Sequence, residues 1–125
     1  MKLLLDTHTL LWWLADDSRL SPRVRKFIAN SANQVAISSV SAWEISIKKA
    51  LGKLEVDLEL LLSEIEKNGF TLLQVSFEHG LRAGSLPCHH RDPFDRMLIA
   101  QSQCEGLHLV SIDSQFSAYD VDVIW

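Results

Sequence analysis

The sequence predicts an α/β fold, a three-layer sandwich built on a mainly parallel five-stranded sheet. Short apolar runs suited to buried strands alternate along the chain with longer segments of helical periodicity, and this alternation is typical of a parallel sheet covered by helices. The 125 residues, 47% hydrophobic and 22% charged, suit one globular domain. No internal repeat, low-complexity segment or linker is visible, so residues 1–125 are expected to form a single domain.

The start of the chain predicts one strand and two helices. The apolar run Lys2–Leu5 ends at Asp6 and is typical of a buried strand with an acid at its carboxyl end. Apolar residues at 10–14 predict a helix directly after it. Ser21 and Pro22 form an N-cap and first-position pair, which predicts the start of a second helix.

The middle of the chain predicts a second strand and two further helices. Gln34–Ser38 is rich in β-branched and apolar residues and is expected to form the second strand. Ser41 and Glu44 have the spacing of a capping box, which predicts a helix that begins there and stops at Gly52. Asp57 is expected to cap the next helix.

The last part of the chain completes the alternation. Residues 71–75 predict the third strand, and Ser76 is expected to open a short helix. Pro93 predicts the first position of a longer apolar helix. Residues 107–112 and 121–124 predict the fourth and fifth strands.

Charge and cysteine content narrow the possible functions. The formal net charge of −4 argues against nonspecific binding of nucleic acid by the whole surface, although a nuclease can concentrate acids in its active site. No apolar run could span a membrane and no signal peptide is visible, so we expect a cytoplasmic protein. Cys88 and Cys104 are expected to be reduced thiols. Cys88 precedes two histidines, but no second cysteine stands at zinc-ligand spacing.

The start of the helix predicted at Pro93 carries two carboxylates. Asp92 is its expected N-cap, and Asp95 falls in the first turn, where the helix dipole favours a negative charge. Arg91 and Arg96 flank the pair. Capping alone would explain this pattern equally well.

Three other acids are expected at the same place in the fold. Asp6 follows the first strand, Asp113 follows the fourth, and Glu44 lies in the helix that comes soon after the second. Ligands of open α/β sheets bind beyond the carboxyl ends of the strands, so these acids and Asp95 are expected to converge there. Taken singly, each has a simpler explanation as a cap or turn residue.

Convergence of four carboxylates predicts a metal ion. Two like charges ~5 Å apart repel by roughly 3 kcal/mol at an effective dielectric of about 20, so four together need a counter-ion. Oxygen-only ligands indicate Mg²⁺ or Mn²⁺, which lowers the pKa of bound water and suits phosphodiester hydrolysis. The sequence has no glycine-rich phosphate loop, so nucleoside triphosphate chemistry is not expected. Its composition is compatible with a Ser–His–acid triad, although it contains no G-x-S-x-G elbow.

Four segments together resemble the PIN-domain family, specifically the VapC-type ribonuclease toxins of bacterial type II toxin–antitoxin systems. They are LLLDTHTLLWWL, SSVSAWEISIKKALGKL, HHRDPFDRMLIAQS and LVSIDSQFSAYDVDVIW, and they cover almost the whole chain in the family's order. The resemblance implies a parallel-sheet PIN fold and a Mg²⁺- or Mn²⁺-dependent endoribonuclease acting on RNA. It also implies a homodimer and a cognate antitoxin protein.

The resemblance also implies roles for individual residues. The family's four acids, which serve as catalytic residues and metal ligands, fall on Asp6, Glu44, Asp95 and Asp113. Its small supporting hydroxyls fall on Thr7 and Ser111. Asp92 belongs to the DPFD motif and is interpreted as a cap or supporting residue rather than a ligand.

Other features leave alternatives open. The candidate contacts to RNA phosphates are basic residues that could equally form an exposed face: Lys48, Lys49, Lys53, Arg91 and Arg96. Three tryptophans, Trp12, Trp13 and Trp43, are expected in the core or at a dimer contact. Two other functions also fit the sequence, a non-catalytic protein-interaction module of the same fold and a small-phosphate hydrolase.

Overall fold

A five-stranded parallel sheet lies between two layers of helices in the computed structural model, which describes residues 1–125. The strand order is β3-β2-β1-β4-β5, and every neighbouring pair is parallel. The α/β sandwich predicted from the sequence is therefore confirmed, with a sheet that is entirely rather than mainly parallel. The strands are β1 (Lys2–Leu5), β2 (Gln34–Ser38), β3 (Thr71–Leu73), β4 (His108–Val110) and β5 (Val123–Ile124).

Six α-helices and one short 3₁₀ helix connect and cover these strands. None of the helices has the length and apolar character needed to cross a membrane. They are α1 (Thr7–Leu14), α2 (Pro22–Ala29), α3 (Ser39–Ala50), α4 (Leu58–Lys67), α5 (Phe77–Ser85), α6 (Pro93–Glu105) and the 3₁₀ helix Ser114–Ala118.

The central strand β1 separates two hydrophobic cores. Alternate side chains of a strand point to opposite faces, so Leu3 and Leu5 pack into one core while Leu4 packs into the other. All three are fully buried. The first core includes Leu10 of α1, and the second includes Leu98 of α6. Helices therefore cover both faces, which is why β1 is apolar throughout.

The strand order reverses direction beside β1. The chain passes from β1 to β2 on one side, and β4 pairs with β1 on the other. Leu5, at the end of β1, stands opposite Ile37 of β2 and Val110 of β4. The carboxyl ends of three strands therefore meet at the switch point, where open α/β sheets bind their ligands.

The predicted capping box at Ser41 and Glu44 is wrong. Helix α3 begins at Ser39, and its N-cap is Ser38, whose side chain accepts a hydrogen bond from the backbone N–H of Val40 (3.1 Å). Strand β2 runs directly into α3 without a loop, so Ser41 and Glu44 already lie inside the helix. Glu44 is thereby released from capping and is free to serve the site described below.

Strands β3 and β4 are shorter than the predicted segments 71–75 and 107–112. The paired residues of β4 are opposite Leu3–Leu5, and pairing stops where β1 stops. Likewise β3 pairs only with residues 36–38 of β2. The apolar sequence continues beyond the ends of β3 and β4, but the neighbouring strands have ended there, so no further strand pairing is possible.

Candidate active site

Asp6 is a buried carboxylate at the switch point of the sheet. It is the N-cap of α1, and its Oδ1 accepts hydrogen bonds from the backbone N–H (2.9 Å) and the hydroxyl (2.5 Å) of Thr9. Its Oδ2 accepts a hydrogen bond from the hydroxyl of Ser111 (2.5 Å). Burial nevertheless raises the pKa of Asp6 above its usual value, because these donors only partly replace water.

Ser111 connects Asp6 to Asp113. Its hydroxyl oxygen accepts a hydrogen bond from the backbone N–H of Asp113 (3.0 Å), while its proton is donated to Asp6. Asp113 caps the following 3₁₀ helix, with its Oδ1 accepting from the N–H of Gln115 (2.9 Å). The predicted supporting position of Ser111 thus corresponds to a hydroxyl bonded to one acid and to the backbone of another.

Glu44 is held from both sides within α3. Its Oε1 accepts a hydrogen bond from the hydroxyl of Thr7 (2.6 Å), and Thr7 also lies 3.2 Å from the hydroxyl of Ser41. Its Oε2 lies 2.5 Å from the ammonium of Lys48, one turn further along the helix. Glu44 itself is only 4% exposed. The Glu44 carboxylate is therefore buried at this edge of the sheet and fixed in orientation by two side chains.

Asp95 and Asp92 have different environments although both lie at the start of α6. Asp92 caps the helix through its Oδ1, which accepts from the N–H groups of Phe94 (2.9 Å) and Asp95 (3.0 Å). Oδ2 of Asp95 instead lies 2.7 Å from Nε2 of His90. The structure therefore assigns the capping function to Asp92 and leaves Asp95 facing other ionisable groups.

Burial raises the pKa of Asp95 to about 6. The negative charges of Asp92 and Glu44 contribute to the rise, and the hydrogen bond and charge of His90 oppose it. Because the charge of Glu44 affects Asp95, α3 and α6 place these two acids near each other. A raised pKa of this kind is typical of functional sites, where like charges are held together.

His90 is a member of the site that the sequence reasoning missed. One ligand atom from each of His90, Asp95 and Asp113 lies within 4.8 Å of the other two. Asp6 and Glu44 are not part of this tight group, although Ser111 links Asp6 to it. The signal was present in the sequence, because His90 precedes the two acids of the DPFD motif, but it was weighed only beside Cys88 as a zinc ligand.

Lys48 supplies positive charge beside Glu44. Its hydrogen bond to Glu44 raises the pKa of Lys48, and the charges of Asp92 and Asp95 contribute to the same rise. The sequence argument that converging acids require a metal therefore overlooked a protein cation. Lys48 neutralises part of the charge, but it bonds to Glu44 and leaves Asp95 and Asp113 available to another cation.

Arg96 holds the loop before α6 rather than projecting toward solvent. Its guanidinium donates to the carbonyl oxygens of Pro87 (2.8 Å), Ala83 (2.9 Å), Leu86 (3.0 Å) and His90 (3.3 Å). These bonds occupy the planar donor face that a phosphate would need. Arg96 is therefore accounted for as a structural residue, contrary to its expected place among the RNA contacts.

The other basic residues expected to contact RNA differ in whether their side chains are already bonded within the chain. Lys49 donates to the carbonyl oxygen of Val56, and Lys48 is paired with Glu44. Arg91 and Lys53 are exposed, and their side chains have no hydrogen-bond or ion-pair partner in the chain. Arg91, next to the DPFD motif, is thus the free cation nearest to Asp95 in sequence.

Two of the three tryptophans have structural roles. Trp12 packs edge-on against Trp125 (5.9 Å between ring centroids), and the Trp13 indole N–H donates to Asn68 (3.0 Å). Trp43 differs, because it remains 59% exposed while its ring meets Phe94 edge-on.

The donor chemistry of the site fits a divalent cation. Asp6 and Asp95 both have raised pKa values, so a cation that favours their charged forms would relieve an electrostatic cost built into the fold. Asp95 Oδ1 and Asp113 Oδ2 have no hydrogen-bond partner in the chain and are not buried. Carboxylate oxygens of this kind are ligands for Mg²⁺ and Mn²⁺.

Comparison with known proteins identifies the fold family. The model of the PIN domain matches residues 3–122, which is nearly the whole chain. This chain belongs to the PIN domain family. The resemblance noted in the sequence is confirmed, and the acids described above lie within the matched PIN region.

Solved structures share this PIN fold at low sequence identity. A chain of VapBC2 from Rickettsia felis, crystallised with a promoter DNA fragment, is similar over 100% of this chain and 99% of its own (TM-score 0.71, 15% identity). A chain of DNA-bound VapBC from Salmonella typhimurium is similar over 99% of this chain and 97% of its own, with a TM-score of 0.71 and 18% sequence identity. VapBC-5 from Mycobacterium tuberculosis, a member of the VapBC family of toxin–antitoxin systems, is similar over 98% of this chain and 97% of its own, with a TM-score of 0.61 and 21% sequence identity. No curated protein matches the sequence significantly.

Proposed function

We propose that this PIN domain is a divalent-metal-dependent endoribonuclease that hydrolyses RNA phosphodiester bonds. The observation that carries the proposal is the set of carboxylates at the carboxyl edge of the sheet. Asp6 and Asp113 share Ser111, and Glu44 and Asp95 lie in one electrostatic field. Asp6 and Glu44 are buried and bonded by dedicated hydroxyls, and burial raises the pKa of Asp6 and of Asp95. Such groups are costly to maintain unless the site uses them.

Each acid has a separate part in the proposed chemistry. Asp95 and Asp113 would hold a Mg²⁺ or Mn²⁺ ion directly, and Asp6 and Glu44 would complete the site with Thr7 and Ser111 as orienting hydroxyls. When bound, the ion supplies a water of lowered pKa and stabilises charge on the phosphoryl group. Lys48 holds Glu44 in place through its ion pair.

RNA binding would rely on local charge rather than on the whole surface. With a net charge of −4, the protein cannot attract RNA generally. Arg91 and Lys53, whose side chains have no partners in the chain, are the residues we assign to phosphate contacts, with a smaller contribution from Lys49.

A partner protein is the second part of the proposal. Similar structures are VapBC assemblies, and we propose that this chain is likewise the toxin of a toxin–antitoxin pair. An apolar cavity of about 370 Å³ between α3 and α4 offers a place for an antitoxin segment. It is bordered by leucines, of which Leu58 and Leu62 are at least 41% exposed.

A homodimer is proposed on separate grounds. Phe77 and Leu81, on one side of α5, are 85% and 65% exposed. Large apolar side chains exposed side by side favour association, and a second copy of the chain is the partner we assign to them.

The activity is tested with purified protein, end-labelled single-stranded RNA and p-nitrophenyl phosphate. We expect RNA cleavage that a chelator stops and that added Mn²⁺ or Mg²⁺ restores, with no turnover of the small phosphate ester. Turnover of the ester alone would favour a small-phosphate hydrolase. Absence of both activities, together with no metal-induced shift in melting temperature, would favour the non-catalytic module.

A further inference from the structure

His90 places a nitrogen atom among the oxygen donors of the site. Its Nε2 lies 2.7 Å from Oδ2 of Asp95, and a ligand atom of Asp113 lies within 4.8 Å of both residues' ligand atoms. Neighbouring ligands of an octahedral ion bound at about 2.1 Å are about 3.0 Å apart, and opposite ligands about 4.2 Å apart. The three side chains are therefore close enough together to become ligands of a single ion with small side-chain adjustments.

The loop holds the His90 ring rigidly in this position. The backbone N–H of His90 donates to the Tyr119 hydroxyl (2.8 Å), and its carbonyl oxygen accepts from Arg96 (3.3 Å). The ring also meets Phe116 edge-on, with 6.4 Å between centroids. A ligand fixed from both its backbone and its ring loses little freedom when it binds a metal, which favours affinity.

The chemistry of His90 also leaves its ring suitable for coordination. Nδ1 has no hydrogen-bond partner in the chain and is not among the buried unpartnered atoms, so it can donate to solvent water. Metal-bound histidines commonly donate their second ring N–H to water, a carbonyl or a carboxylate. Nε2 donates to Asp95 in the absence of an ion, and on binding it would release this proton to solvent and coordinate the ion beside Asp95 and Asp113.

We infer that His90 is a direct nitrogen ligand of the divalent ion, and that the site consequently prefers a first-row transition ion such as Mn²⁺ over Mg²⁺. This inference rests on the proposed function, because it assigns a further ligand to the same metal site. Imidazole is a suitable ligand for transition ions, whereas Mg²⁺ requires oxygen. The site would then bind the ion through two carboxylates and one imidazole. The His90 imidazole would determine which metal is preferred, and the two acids would supply the negative charge.

The test is Mn²⁺ binding followed by electron paramagnetic resonance, in which nitrogen-14 bound directly to Mn²⁺ gives a characteristic spin-echo modulation. The variant is His90→Asn, which is small enough for the loop. The controls are His89→Asn and His8→Asn, two exposed histidines adjacent to His90 and to Asp6. Melting curves confirm that each variant is folded, and Mn²⁺ and Mg²⁺ affinities are measured by calorimetry.

We expect nitrogen modulation in the wild type and in both controls, and its loss in His90→Asn. Mn²⁺ affinity should fall about tenfold or more in that variant, while Mg²⁺ affinity changes less than about twofold, because Mg²⁺ does not depend on the imidazole. Mn²⁺ binding without nitrogen modulation, or modulation that survives in His90→Asn, would overturn the inference and leave the proposed nuclease intact. If the wild type binds neither ion, both the inference and the proposed metal-dependent function are wrong.

Discussion

Two aspartates three positions apart in the chain have different roles, and single substitutions can separate them. Asp92 accepts two backbone N–H groups, whereas Asp95 faces His90 and the charge of Glu44. The sequence could place both at a helix start. It could not show which of them faces other acids, because that depends on how α3 packs against α6.

Asp95→Asn should abolish RNA cleavage, while Asp92→Asn should keep much of it. Asn is a good N-cap, so Asp92→Asn should cost only a few tenths of a kcal/mol in the free energy of unfolding. Cleavage assays and melting curves with and without Mn²⁺ measure both effects. Cleavage retained by Asp95→Asn but lost in Asp92→Asn would show that the ligand role belongs to Asp92.

Asp95 should also make the metal-free protein less stable as pH rises. Because the folded-state pKa of about 6 exceeds the usual 3.8, the native state binds more protons than the unfolded state between these values, so stability falls from about pH 4 to pH 6. After allowance for partial exposure this amounts to about 1–2 kcal/mol. Asp95→Asn should flatten this part of the pH profile, measured by denaturant unfolding with a chelator present. An unchanged slope would mean that Asp95 titrates normally.

Ser111→Ala should destabilise the protein more at high pH, where Asp6 is charged, than at a pH low enough to protonate Asp6. Its hydroxyl donates to the buried Asp6 carboxylate and holds down a pKa that burial raises. The hydrogen bond to a charged group is worth about 1.5–3 kcal/mol, and the loss shrinks where Asp6 is protonated. Ser117→Ala, at an exposed position of the 3₁₀ helix, is the matched control. Equal destabilisation at both pH values would show that Asp6 does not change its protonation state between them.

At the level of elements, the sequence was most informative where local chemistry decides the structure. The caps Ser21, Asp57, Ser76 and Asp92 were all predicted, because each side chain bonds to the N–H groups of its own first turn. The start of α3 was missed, because β2 passes into it without a loop and the Ser41–Glu44 spacing imitated a cap. The strand ends were missed for a different reason: they depend on the length of the partner strand, which is not a local property.

Arg96 and Arg91 form a second matched pair, on the loop that precedes α6. Arg96 donates to four carbonyl oxygens of residues 83–90, so Arg96→Lys should cost about 2–3 kcal/mol of stability. Arg91→Lys should cost less than about 0.5 kcal/mol, because the side chain is exposed and unpaired. Denaturant unfolding measures both. A stable Arg96→Lys variant with lost RNA cleavage would instead restore Arg96 to the RNA contacts.

On the scale of the whole molecule, topology makes the site. Asp6, Glu44, Asp95 and Asp113 come from distant parts of the chain, and they lie at the same edge of the sheet because β1 is central and β2 and β4 flank it. The rule that parallel sheets bind ligands at a switch point was enough to predict this edge of the sheet. It was not enough to predict Lys48 or His90, because those contacts depend on side-chain packing rather than on strand order.

The proposed homodimer is tested by light scattering at micromolar concentration. We expect a mass of twice the 14.1 kDa chain, and Phe77→Glu should yield the monomer, since Phe77 is the most exposed of the large hydrophobic residues. The matched control is Leu51→Glu, because Leu51 is an exposed apolar residue at the C-cap of α3, outside the α5 surface. A monomeric wild type would show that the α5 surface serves another purpose.

The claim that the four carboxylates act as one catalytic site is tested most directly by RNA cleavage at saturating Mn²⁺. The variants are Asp6→Asn, Glu44→Gln and Asp113→Asn, with Asp120→Asn, at an exposed position, as the control. We expect each of the three to lose at least about a hundredfold in rate, and the control to stay within about twofold of the wild type. A folded variant of any of the three that cleaves RNA at the wild-type rate would contradict the account.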